Sequence, residues 1–223
     1  MAIAYPEFSL LYERWSTQVY RCCLLLTMEP KGAEEAMLRT FLQVGEKKTV
    51  YPNQQMERLA LFHWAIRCSE DHFYRRARRK PKRETLASLV PFPVDNGLWE
   101  LLQRPLKEKA AFYLVECLGS SAEEAGRTLG ISTGRAQRLA AAAGAGRTEE
   151  RKRSVSSIQL KEETKQQLAD LVYIEFDGRH AALKNRLRRF KSGLDRAAPW
   201  LALAVILIGI AAALYTAGLA GPT

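Results

Sequence analysis

Histidine is scarce in this chain: His63, His72 and His180 are the three in 223 residues, too few and too scattered for a proton relay or a zinc site of ordinary spacing. Cys68 and His72 stand four apart on one helix face, yet no second pair lies near them to complete a metal shell. The four cysteines, Cys22, Cys23, Cys68 and Cys117, form no CxxC pair and make a poor disulfide framework, which points to a reducing, cytosolic setting for most of the chain. Neither a phosphate-cradling glycine loop nor a serine nucleophile elbow occurs. The chain is therefore read as a non-enzyme without cofactor or metal. No basic segment followed by a long apolar core opens the sequence, so no secretory signal peptide is expected.

Acidic residues are in the minority, 24 Asp and Glu against 34 Lys and Arg, for a net +10. Such an excess suits a polyanion, either nucleic acid or the anionic lipid of an inner leaflet. At 47% hydrophobic residues, the chain is too apolar to be disordered throughout. Residues 1–70 and 91–146 are each neutral, whereas 71–90 and 147–198 each carry +5. The first basic block is Arg75-Arg76-Ala77-Arg78-Arg79-Lys80-Pro81-Lys82-Arg83, read either as a solvated linker or as a nucleic-acid contact. The second suits a juxtamembrane patch on anionic lipid.

Charge vanishes altogether from Pro199 to Ala220. A helix of that length spans roughly 33 Å, about the thickness of a bilayer's hydrocarbon core, so a single C-terminal transmembrane helix is expected at 199–220. Trp200 and Tyr215 sit near its ends, where amphipathic rings favour the interface. Lys184, Arg186, Arg188, Arg189, Lys191 and Arg196 precede the span and only three uncharged residues follow it. The positive-inside bias then leaves the body in the cytoplasm, tail-anchored to the inner membrane. Gly209, Ala213 and Ala217 recur every fourth residue, a stripe through which two spans form a weak homodimer.

Apolar residues at helical spacing (Phe8, Leu11, Trp15, Val19, then Met37, Phe41, Val44), interrupted at Glu29-Pro30-Lys31-Gly32, predict two antiparallel helices. A third runs from near Gln54 into the arginine run and stops at Pro81. The fold class is all-α: a three-helix domain over 1–83, a linker over 84–104 marked by Pro91, Pro93, Asn96 and Gly97, a second helical domain over 105–146, a basic helical segment over 147–198, and the span. Within the basic segment, helices are expected at about 157–176 and 179–194. The latter is amphipathic through Leu183, Leu187, Phe190 and Leu194, fit for a membrane surface or a partner.

Residues 106–146 read as a helix, a short helix, a tight turn and another helix. Ser120 or Ser121 caps the short helix with Glu123 and Glu124 in its first turn, Gly130 supplies the turn, and Ser132 caps the next helix. That is a helix-turn-helix outline, shared in part with any helical hairpin that has a glycine turn. Base reading needs polar or basic side chains at the start of the second helix, and Ser132, Thr133, Arg135, Gln137 and Arg138 supply them. The run Ala140 to Gly146 brings no phosphate contacts, and its two glycines are expected to weaken the helix end.

The run FSLLYERWSTQVYRCCLLLTMEPKGAEEAMLRTFLQV resembles the opening of region 2 of extracytoplasmic-function sigma factors of the sigma-70 family. LALFHWAIRCSEDHFYRRARRK is similar to the end of that region, and SAEEAGRTLGISTGRAQRLA to the helix-turn-helix of region 4, in the family's order over residues 7–146. The resemblance implies two small helical domains that bind RNA polymerase core and read promoter DNA. It places Glu34, Glu35 and Phe41 on a polymerase-facing helix, with Leu38 and Arg39 where the family usually has Gln and an acidic residue. Arg67 matches the family's common arginine. Phe73, Tyr74, Arg75 and Arg76 supply the stacking and neutralising chemistry that strand opening needs, and Arg78 and Arg79 extend the DNA-contacting run.

Two functions follow. One is a membrane-tethered, sigma-factor-like transcription regulator whose partners are promoter DNA, RNA polymerase core and membrane lipid. The other is a divergent sigma-like protein-interaction module, an adaptor or anti-sigma at the inner membrane surface that binds a regulator protein without reading a promoter.

Overall fold

A computed structural model describes residues 5–46, 51, 53–76, 82–90 and 92–175, with the backbone alone for 5–7, 46, 75 and 76. These residues are helical, with no strand among them. Helix α1 (Tyr5–Thr27) buries Phe8, Leu11, Tyr12, Val19, Cys22, Cys23 and Leu26, a stripe repeating every three to four positions. It stops at Met28, whose left-handed φ of 59° turns the chain into α2 (Pro30–Glu46), where proline opens the first turn without a missing hydrogen bond. Helix α2 presents Ala33, Met37, Phe41 and Val44 to α1, and α3 (Gln54–Arg76) closes the group with Leu61, Phe62, Ala65 and Ile66. Phe41 lies fully buried with its ring 4.7 Å from Tyr12 and 6.3 Å from Phe8; burying such a ring contributes about 2–3 kcal/mol.

The expected linker at 84–104 carries two short helices, α4 (Arg83–Leu89) and α5 (Asn96–Gln103). Asn96 and Gly97, read as breakers, instead open α5. The Asp95 side chain accepts from the Leu98 N–H at 2.7 Å, and Gly97 is buried where a Cβ would sit 3.1 Å from the Ser154 hydroxyl. Helix α6 (Leu106–Phe112) widens into a π-helical turn at Tyr113–Cys117. Next come α7 (Ala122–Leu129), α8 (Thr133–Gly144) and α9 (Thr148–Ser156). Within the run Ala140 to Gly146, where α8 ends at Gly144, Ala140, Ala143 and Gly144 are buried and join Ala136 on the packing face of the helix. A Cβ on Gly144 would lie 3.6 Å from the Phe112 ring.

Of the helix expected at about 157–176, residues 162–175 form a helix, α10, while 157–161 are non-helical; α9 is a further helix that ends before the expected one begins. Helix α10 runs antiparallel to α1. Arg21 donates to the carbonyls of Ile158 (2.8 Å) and Ser156 (2.7 Å), Tyr12 donates to the Lys165 carbonyl at 2.8 Å, and Phe8 meets Tyr173 edge-on at 5.8 Å. The expected three-helix domain therefore has a fourth helix, contributed from 162–175 by apolar Leu168, Ala169 and Val172.

Residues up to 176 form one compact unit, in which the helices of 1–83 and 105–146 pack on each other. Two buried groups mark that contact: Tyr113 donates to the Gln18 carbonyl at 2.6 Å, and the Lys109 ammonium reaches the Leu26 carbonyl at 3.4 Å. The amphipathic helix of 179–194, the small-residue stripe and the transmembrane helix of 199–220 lie outside the described residues. Among the described residues no helix is long and apolar enough to cross a membrane.

Candidate nucleic-acid interface

Helix α7 starts in a capping box. The Ser121 hydroxyl accepts from the Glu124 N–H at 3.1 Å, while the Glu124 carboxylate accepts from the Ser121 N–H at 3.0 Å. It ends at Gly130 with φ 65°, where the Ile131 N–H returns to the Gly126 carbonyl at 2.9 Å. Gly126 permits this return, since a Cβ there would stand 2.8 Å from the Ile131 carbonyl oxygen. Ser132 occupies the N-cap of α8 but makes no side-chain capping bond.

With Ala136, Ala140 and Ala143 turned inward, Ser132, Thr133, Arg135, Gln137 and Arg138 all lie exposed at the start of α8. Ser132, Thr133 and Arg135 sit at the positive end of the helix dipole, which favours an approaching anion. Arg138 also donates to the Gly134 carbonyl at 3.3 Å. The expected DNA-reading set of this helix is thus exposed throughout, with Arg135 and Arg138, three positions apart, on a shared face.

The α3 set is more dispersed. Arg67 is exposed and lines a cleft of about 430 Å³ with His63, Glu70, Asp71, Lys107 and Gly130. Phe73 is half-buried, its ring edge-on to Tyr74 at 5.8 Å, while Tyr74 is 77% exposed. Arg75 and Arg76 continue the helical backbone; their side chains, with Arg78 and Arg79, lie outside the described residues.

Of the expected polymerase set, Glu34 and Glu35 are half-exposed on α2. Burial pushes the Glu34 carboxyl above its ordinary value, against the opposing pull of Lys31. Glu35 pairs with Arg39 at 2.7 Å and approaches His72 Nδ1 at 3.5 Å, while His72 Nε2 faces Glu29 at 3.4 Å. Phe41 is corrected from contact to core: fully buried, it offers a partner no surface.

Sequence reading missed what ties the helix-turn-helix to the N-terminal helices. Glu124 also accepts from Arg58 at 3.1 Å and from Gln55, and His63 Nδ1 donates to the Thr128 carbonyl at 3.1 Å. The Gln55 hydrogen bond, then the Ser121 N–H and Arg58, hold the Glu124 carboxyl below the usual range. Likewise Arg147 and Arg151, counted with the lipid-facing block, both reach Glu100 at 3.0 Å, and Arg151 is buried. The serine cap was legible; the reciprocal bond from Glu124 and its partners more than 60 positions away were not read from the sequence.

All four cysteines are free thiols. Burial pushes Cys23 and Cys117 up to about 12 and Cys22 well above its usual value, so none is a ready nucleophile. Among the described residues no cluster of three His, Cys, Asp or Glu is placed to hold a metal. Compared with known proteins, the chain matches no family model, no curated protein and no solved structure.

Proposed function

We propose that the chain is a membrane-tethered, sigma-factor-like transcription regulator that reads promoter DNA through α8 and recruits RNA polymerase core. The observation that carries this reading is the capped α7–turn–α8 unit with Thr133, Arg135, Gln137 and Arg138 facing outward. Tyr74, 77% exposed near the end of α3, supplies a second DNA-facing group in the same reading. The uncharged stretch 199–220 holds the body at the inner face of the membrane. Copurification tests the reading: tagged full-length chain is expected to retain polymerase core after a membrane-solubilising wash, and its absence from the eluate contradicts recruitment. Deleting 199–223 is expected to move the chain to the soluble fraction; continued sedimentation with membranes contradicts the anchor.

The second reading, a sigma-like adaptor or anti-sigma that binds a regulator protein, is favoured by Phe41. Of the three residues the resemblance assigns to polymerase, Phe41 is sealed in the core and Glu35 is engaged by Arg39. On that reading the chain binds no promoter DNA at any salt concentration.

A further inference from the structure

A pocket of about 340 Å³ opens between α1, α3, the π-helical turn and α9. Trp15, Gln18 and Arg21 line it from α1, Arg58 from α3, and Tyr113 and Cys117 from the π-helical turn. Small-molecule sites start at about 300 Å³, and turns of this kind are frequent at functional sites. Two arginines line the pocket, and no Asp or Glu does. Arg21 is half-buried and donates to neutral carbonyls, those of Ile158 at 2.8 Å and Ser156 at 2.7 Å, with no carboxylate paired to it among the described residues. Arg58 donates to the Leu118 carbonyl at 3.3 Å and to Glu124 at 3.1 Å, while its buried Nε has no acceptor among the described residues. Burial pushes the Cys117 thiol up to about 12 and the Tyr113 phenol well above its usual value, so neither offers a negative charge. The Glu57 carboxylate outside the pocket is taken up by Arg14 at 3.3 Å and by Trp15 Nε1 at 2.6 Å. A partly desolvated cation without a counter-charge favours an anion.

We propose that this pocket binds a small molecule carrying a carboxylate or phosphate group. Arg21 supplies the charge that meets the oxyanion, its guanidinium held in place by the two carbonyls. The Gln18 amide adds a neutral donor, and the Trp15 ring forms wall for the remainder of the molecule. Arg58 gives the site a consequence. The same guanidinium holds Glu124 at the start of α7, so an oxyanion in the pocket competes for the side chain that ties the helix-turn-helix to the N-terminal helices. The site does not depend on what the helix-turn-helix reads.

The test uses full-length chain in detergent and two probes, inorganic phosphate and benzoate, titrated by calorimetry at constant ionic strength. At least one is expected to bind the parent saturably at concentrations up to about 10 mM, and which of them binds distinguishes a phosphate from a carboxylate ligand. Gln18→Glu places a carboxylate in the pocket at nearly unchanged shape. It is expected to weaken the bound probe at least about tenfold while melting at or above the parent temperature. Arg21→Gln, which removes the charge, is expected to weaken the probe to the same extent. Arg135→Ala, exposed on α8, is the control and is expected to bind like the parent. Failure of both probes to bind the parent overturns the proposal, as does parent-like binding by either pocket variant in its folded form. Loss of binding in Arg135→Ala also overturns it, because the anion then sits at α8.

Discussion

Arg58 of α3 and Glu124 of α7 meet at 3.1 Å, and the same carboxylate closes the capping box with Ser121, so one side chain both starts the helix-turn-helix and ties it to the N-terminal helices. Replacing Glu124 with Ala removes both functions, and Ser121→Ala removes only the cap. Thermal unfolding is expected to report a loss of about 1 kcal/mol for Ser121→Ala and about 2 kcal/mol for Glu124→Ala. Equal losses contradict the double role.

The lowered Glu124 carboxyl gives this contact a pH dependence of definite sign. A carboxylate whose folded pKa lies below its unfolded value contributes stability that is present above the unfolded pKa and lost as pH falls through the folded one. Between about pH 5 and about pH 3 the parent is expected to lose more stability than Glu124→Gln, which has no proton to gain there. Parallel curves in denaturant titrations across that range contradict the assignment.

Two glycines of the helix-turn-helix separate packing from propensity. At Gly126 a Cβ meets backbone, the Ile131 carbonyl at 2.8 Å, whereas at Gly134 nothing lies within 4 Å. Gly126→Ala is expected to destabilise by about 1–3 kcal/mol, and Gly134→Ala to stabilise by about 0.5–1 kcal/mol through helix propensity. Calorimetric melting shifts of the same sign for both contradict the turn geometry.

Gly32 and His72 form a similar test in the N-terminal helices. A Cβ on Gly32 would come within 2.4 Å of His72 Nε2, so Gly32→Ala must displace a buried ring held between Glu29 and Glu35. Gly32→Ala is expected to cost about 1–3 kcal/mol alone and markedly less in a His72→Ala background. An additive double-mutant cycle contradicts the contact.

The helical class and the α7–turn–α8 outline were legible because each rests on local chemistry: the apolar spacing of Phe8 to Val44, the serine cap and acidic first turn of α7, Gly130 at the turn. What sequence did not reveal is long-range. Phe41 carries the same local pattern whether its ring faces a partner or a core, and only its contact with Tyr12 decides for the core. The run Ala140 to Gly146 carries no local sign that Ala140, Ala143 and Gly144 form part of the buried face of α8. The basic residues of 147–165 suggested lipid, yet Arg147 and Arg151 belong to Glu100 and Lys165 to Glu13. Charge counting cannot see a partner 47 to 152 positions away.

The central claim is that α8 reads DNA, and a salt titration of binding tests it most directly. Full-length chain in detergent, titrated against promoter-like duplex by fluorescence anisotropy, is expected to bind with an affinity that falls steeply as salt rises. Replacing both Arg135 and Arg138 with Ala should weaken that binding about 10- to 100-fold and reduce the salt slope by about one to two. Parent and double variant binding equally, with the same slope, would contradict the claim.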